Sequence, residues 1–145
     1  MATLTRFEEL EAWKLAREIT SEIYDICRGE AFSKDFGLRN QISRSSVSIM
    51  SNIAEGFERD GRKEFVNFLS IAKGSLGEVR AQLYVALDQK YISRPDFDRI
   101  NKKCRENGRI IAGLMKYLAQ TEITGQKFRV ISSTDNRTND PKTRN

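Results

Sequence analysis

Apolar positions recur at three- and four-residue intervals along four separate stretches, the spacing of one face of an α-helix. In the first stretch, about 8–27, Ala12, Ala16, Ile19, Ile23 and Ile26 form the stripe. Thr5 and Glu8 have capping-box spacing, and Gly29 is expected to end the helix. The second stretch, about 37–57, carries two stripes. Leu38, Ile42, Ser45, Ile49, Ile53 and Gly56 make one; Val47, Met50, Ala54 and Phe57 make the other. Its serines are short enough for close helix approach and can bond back to the carbonyl one turn earlier. Gly56 is predicted to stop it. The third stretch, about 62–90, follows Asp60 or Gly61 as N-cap. It keeps Phe65, Phe68, Leu69, Ala72, Leu76, Val79, Leu83 and Ala86 in register. Gly74 and Gly77 lie inside it at a cost of about 1 kcal/mol each relative to Ala, which predicts close backbone contact there. The fourth stretch, about 95–120, opens on Pro95 with Asp96 and Asp98 at its positive end. Phe97, Ile100, Cys104, Asn107, Ile111, Leu114 and Leu118 form its stripe. Asn107 interrupts the seam, and a polar residue there often sets register or oligomer state.

Four helices with short connections predict an all-α, antiparallel up-down-up-down four-helix bundle over 1–120. Residues 121–145 turn to Ser, Thr, Asn, Asp and Lys and are expected to form a largely disordered basic tail. The second helix is apolar on two faces, and Phe7, Trp13 and Leu15 lie off the stripe of the first. Such residues need a second burial site, either a subunit interface or a fold over the bundle end. The surplus predicts a homo-oligomer, with Phe7, Trp13, Val47 and Met50 as interface candidates.

Charge changes this picture modestly. The net charge is +5 over 145 residues, and five basic against two acidic residues beyond Gly125 supply +3 of it. The folded part is therefore less basic than the whole-chain pI of about 9.4 suggests. On the fourth helix, however, Arg99, Lys102, Lys103, Arg109 and Lys116 cluster on the face away from the apolar stripe. Such a row can replace counterions along a phosphate backbone, and it can equally be a solvated face. Arg39, Arg44 and Lys73 are secondary candidates.

Candidate catalytic chemistry is sparse. With no histidine, Ser-His and Cys-His catalysis and His-ligated metal sites are excluded. Cys27 and Cys104 stand alone, and are expected to be buried thiols in a reducing cytoplasm. No glycine-rich loop has phosphate-cradling form. No stretch approaches the roughly 20 apolar residues that span a bilayer, and no signal-peptide pattern opens the chain. Asn52 and Glu55, one turn apart beside Gly56, make either a small site or bonds that fix the turn into the third helix. No cofactor, metal or small-molecule substrate is expected, and the chain is expected not to be an enzyme.

Arg44-Ser-Ser-Val-Ser-Ile-Met-Ser-Asn-Ile-Ala-Glu-Gly56 resembles the signature of the four-helix-bundle proteins encoded within intervening sequences of bacterial 23S rRNA genes. Phe7-Glu-Glu-Leu10 with Trp13-Lys14 and Ala16 agrees in order and spacing. So do Phe36-Gly-Leu38 with Gln41, and Phe65 with Phe68-Leu69 and Ala72-Lys73-Gly74-Ser75 with Glu78. The motif positions are Arg44, Ser51, Asn52, Glu55, Gly56, Lys73, Gly74, Ser75 and Glu78, and the resemblance runs from about Phe7 to Leu118. Members often carry Ala at Ser45 or Ser46 and Pro at Met50; the missing Pro should straighten the second helix locally. The resemblance implies a ring, and a pentamer as its size. It fixes no activity.

Two readings follow for function. One is a ring that binds RNA or DNA through the fourth helix and the tail. The other is a protein-interaction scaffold without nucleic acid, motivated by Phe7, Trp13, Phe57 and Tyr117.

Overall fold

The computed structural model describes residues 4–120, and within them every regular element is helical. The expected tail lies outside the described residues. The four α-helices are α1 (Glu11–Cys27), α2 (Phe36–Glu58), α3 (Arg62–Asp88) and α4 (Arg94–Gln120).

A 3-10 turn, Phe7–Glu9, precedes α1. Leu10 separates the two, extended at φ −75°, ψ 130°, with its side chain buried. The Thr5 N–H donates to Glu9 Oε1 at 3.1 Å, not to Glu8, and steadies the turn rather than the helix. α2 starts on Asp35, whose carboxylate accepts from the Leu38 N–H at 3.0 Å and from the Tyr91 hydroxyl at 2.9 Å. Tyr91 also stacks on Phe32 with ring centroids 5.1 Å apart, and Phe32 is fully buried. This lock closes one end of the bundle. α3 begins after Gly61, which holds φ +118°, a value L side chains rarely adopt. α4 is capped by the Ser93 hydroxyl, which accepts from the Asp96 N–H at 3.2 Å.

The helices pack in a cycle, each against the next and α4 back against α1. Paired numbers rise on one helix as they fall on its neighbour. Thr20 donates to the Ser46 carbonyl, and Cys27 lies beside Ser43. Ser45 meets Glu78, Ser48 meets Ser75, and Phe57 meets Phe65. Arg80 meets Asn101, and Tyr84 meets Phe97. Glu18 meets Lys103, and Glu22 meets Arg99.

Three expectations change here. Gly56 does not end α2, which continues to Glu58. It is buried, and a Cβ built on it would lie 2.7 Å from Phe68 Cβ and 3.0 Å from Phe65 Cδ1. The residue is glycine because α3 passes too close for any side chain. Gly74 and Gly77 are the reverse case: an added Cβ at either meets nothing within 4 Å, so no close helix contact explains them. Phe57, placed on the second stripe with Val47 and Met50, is fully buried against Phe65. It stands four residues after Ile53 and so shares the inner face of α2 with Ile49 and Ile53, both fully buried.

Asn107 sits in the core at 0% exposure, with neither side-chain amide atom hydrogen-bonded.

Gly56→Ala should lower stability by about 1–3 kcal/mol, because overpacking outweighs the gain in helix propensity. Urea denaturation measures it, and an unchanged midpoint would refute the close approach. Asn107→Leu should raise stability by about 1–3 kcal/mol by removing an unpaired buried amide. A lower thermal midpoint for that variant would mean that Asn107 serves the fold instead.

Candidate nucleic-acid interface

The five cations expected to form one row on α4 divide into two groups. Arg99 and Lys103 lie one turn apart on the flank facing α1. Arg99 Nε donates to Glu22 Oε1 at 2.6 Å, and its Nη1 donates to Asp96 Oδ1 at 2.7 Å. Lys103 Nζ pairs with Glu18 Oε1 at 2.8 Å and with Glu22. Burial alone would raise the Glu22 carboxyl, but hydrogen bonds from Lys103 and Arg99 outweigh it and hold it below its usual range. Both cations are raised in turn, Lys103 first by Glu18 and Arg99 first by Glu22. Their charge is spent inside the chain.

Lys102, Arg109 and Lys116 are exposed and have no acidic partner among the described residues. Arg105, one turn before Arg109 and left out of the expected row, is equally exposed and unpaired. The free positive surface is thus the side of α4 turned away from α1. It continues onto α3 through a groove of about 480 Å³. Lys73 and Arg80 from α3 and Arg105 and Arg109 from α4 line it, and no carboxylate does. Leu76, Gly77, Cys104, Gly108 and Ala112 complete the lining. Arg80 Nε donates to Asn101 Oδ1 at 3.0 Å, which holds the guanidinium in place. Sequence reasoning passed over Arg80 and Gly108. The signal was there in the spacing: 73, 77 and 80 on one helix, 105, 108, 109 and 112 on the other.

A family model for the 23S rRNA-intervening sequence protein matches residues 8–113. The chain belongs to that family. A crystal structure of a protein of unknown function from the S23 ribosomal protein family, from Bacteroides thetaiotaomicron VPI-5482, is similar at a TM-score of 0.67 and 28% identity. The similarity covers 72% of this chain and 98% of that one. No curated protein matches the chain.

Of the family-motif residues, Gly56, Ser75 and Glu78 lie at the α2–α3 seam. The Ser45 hydroxyl donates to Glu78 Oε1 at 3.5 Å, and Ser48 and Ser75 share a hydroxyl–hydroxyl bond of 2.9 Å. Asn52 bonds Ser48 through both its carbonyl and its hydroxyl, rather than reaching α3 itself. Glu55 pairs with Arg59 at 2.9 Å, and Arg59 reaches Glu64 at 3.7 Å, so Glu55 does tie the turn to the start of α3. Gly56 permits the contact below them. Arg44, Ser51 and Gly74 face solvent, and Lys73 turns to the groove.

Of the interface candidates, Phe7 and Trp13 pack edge-on with centroids 5.1 Å apart and are half-buried against the core. They fold over the bundle. Met50 is half-buried and Val47 is exposed. Phe57 and Tyr117, which motivated a protein-binding surface, are core residues. The exposed large apolar side chains are instead Tyr24, Phe36, Val47, Ile71, Tyr84 and Val85.

Both cysteines are buried and free. Burial pushes the Cys104 thiol up to about 12 and also raises Cys27, so neither is a ready nucleophile. Among the described residues no His/Cys/Asp/Glu group could hold a metal ion, and no helix is long and apolar enough to cross a membrane.

The α1–α4 ion pairs predict a pH dependence. Glu22 has a lowered pKa, so its contribution is complete above its ordinary value of 4.5 and fades as pH falls through the lowered value. Lys103 contributes fully below its ordinary 10.5 and fades as pH rises through its raised value. Glu22→Gln should flatten the acid limb of stability against pH and cost about 1 kcal/mol at neutral pH. An acid limb identical to the parent's would show that the pairing contributes nothing.

Proposed function

We propose that the chain is a non-enzymatic bundle, with the antiparallel up-down-up-down course its contacts suggest, which assembles with copies of itself and binds RNA or DNA along α4. The observation that carries the reading is the run of Lys102, Arg105, Arg109 and Lys116, exposed and without an ion pair among the described residues, with Glu106 the one carboxylate within the run. Their neighbours Arg99 and Lys103 are neutralised by α1, so the outer side is left positive by arrangement rather than by composition. Lysine and arginine in a row release counterions from a phosphate backbone, and such contacts position without reading sequence. A ring, with five copies as its expected size, would repeat the row and add weak contacts into useful avidity. Exposed Val47, Ile71 and Val85 supply apolar surface for self-association. A cytoplasmic setting fits two free, unreactive thiols.

The second reading is a protein-interaction scaffold. Ile71, Tyr84 and Val85, all more than two-fifths exposed on α3, favour it.

Full-length protein titrated into labelled structured RNA and duplex DNA, with mass measured by light scattering, decides between them. The triple variant Lys102→Ala, Arg109→Ala, Lys116→Ala should keep its helicity and lower the salt slope on duplex DNA by about 2.7, the share of three phosphate contacts. Affinity and slope unchanged in that variant would sink the α4 assignment. An oligomer that binds neither nucleic acid would leave the scaffold.

A further inference from the structure

α3 and α4 each omit a side chain where they line the same groove. Gly77 and Gly108 lie in the interiors of helices of 27 residues each. Glycine there costs about 1 kcal/mol relative to alanine. At Gly56 the chain itself supplies the reason, because Phe68 occupies the place of a Cβ. At Gly77 and Gly108 it supplies none: an added Cβ would meet nothing within 4 Å. What the two glycines do is keep the groove open. Its volume of about 480 Å³ falls within the usual range of ligand sites, about 300–1,000 Å³.

The groove's charge is one-sided. Lys73, Arg80, Arg105 and Arg109 line it with no carboxylate. The Arg80 Nε is held by Asn101, and the terminal nitrogens of that guanidinium have no partner among the described residues. A guanidinium fixed at Nε and free at its fork is ready to bind a phosphate, and a lysine adds a mobile point charge. Four like charges around one concavity repel unless an anion joins them.

We propose that the α3–α4 groove is a phosphate-binding site, open at its glycine floor to the backbone of a single nucleic-acid strand or to a free phosphate compound. It deepens the nucleic-acid reading and shares Arg105 and Arg109 with the α4 row, but Lys73 and Arg80 belong to the groove alone and Lys102 and Lys116 to the outer row alone, so variants at those residues let the two fail separately.

The test uses the full-length protein with two probes: a labelled oligouridine of about twelve nucleotides, within the span of known single-strand sites, and inorganic pyrophosphate followed by calorimetry. Two variants are compared with the parent. Lys73→Ala with Arg80→Ala should weaken the oligouridine and lower its salt slope by about 1.4, the share of two contacts to a single strand. Gly77→Ala with Gly108→Ala should weaken binding while raising the thermal midpoint, because alanine favours the helix. Affinity and stability moving in opposite directions is the signature of glycines kept for a ligand. Pyrophosphate binding lost in both variants, with no oligouridine binding by the parent, supports the site for free phosphate compounds and removes the nucleic-acid reading. Oligouridine binding that ignores both groove variants but falls in the double variant Lys102→Ala, Lys116→Ala on outer α4, with no pyrophosphate binding, overturns the groove and leaves that reading standing.

Discussion

The approach of α2 to α3 at Gly56 sets the geometry of the rest. Phe68 Cβ lies where a Gly56 side chain would begin, so the two helices are as close there as backbone allows. Directly beside it Phe57 and Phe65 meet edge-on in the core. Further along, the pair is held by hydroxyls, Ser48 to Ser75 and Ser45 to Glu78, because short polar side chains bridge a narrow gap that larger apolar ones would wedge open. A hairpin fixed this tightly places α3 for α4, and α4 for α1.

The same packing decides which charges are available. α1 presents Glu18 and Glu22 to one flank of α4, and those carboxylates absorb Arg99 and Lys103. α3 presents Lys73 and Arg80 to the other flank, where they add to Arg105 and Arg109 instead of cancelling them. One helix therefore has a neutral side and a positive side. Cations stand on both sides; the neighbours they meet differ. The positive side faces a groove whose lining contains no side chain at Gly77 or Gly108, so charge and space coincide.

The glycines show why residue type alone does not reveal a role. Gly61 is required by a backbone angle of φ +118° at the start of α3. Gly56 is required by a neighbour. Gly74, Gly77 and Gly108 have no neighbour that requires them, and it is the place of Gly77 and Gly108 in a cationic groove, which Gly74 does not share, that turns attention to a ligand.

By itself the sequence determined the four helices, because a 3.6-residue apolar period survives in any environment and needs no partner to be recognised. It also determined the turn at Gly61, the absence of histidine chemistry and, through the motif from Arg44 to Gly56, the family. It did not determine Leu10 as the break before α1 or the Phe32–Tyr91–Asp35 lock, since each depends on residues far apart in the chain. Nor did it separate Arg99 and Lys103 from Lys102 and Arg109. A helical wheel shows which residues share a face, but only packing shows whether that face meets a carboxylate, a cation or water. That is why the row on α4 was legible in outline, while the groove with Arg80 and Gly108 appeared only when α3 and α4 were brought together.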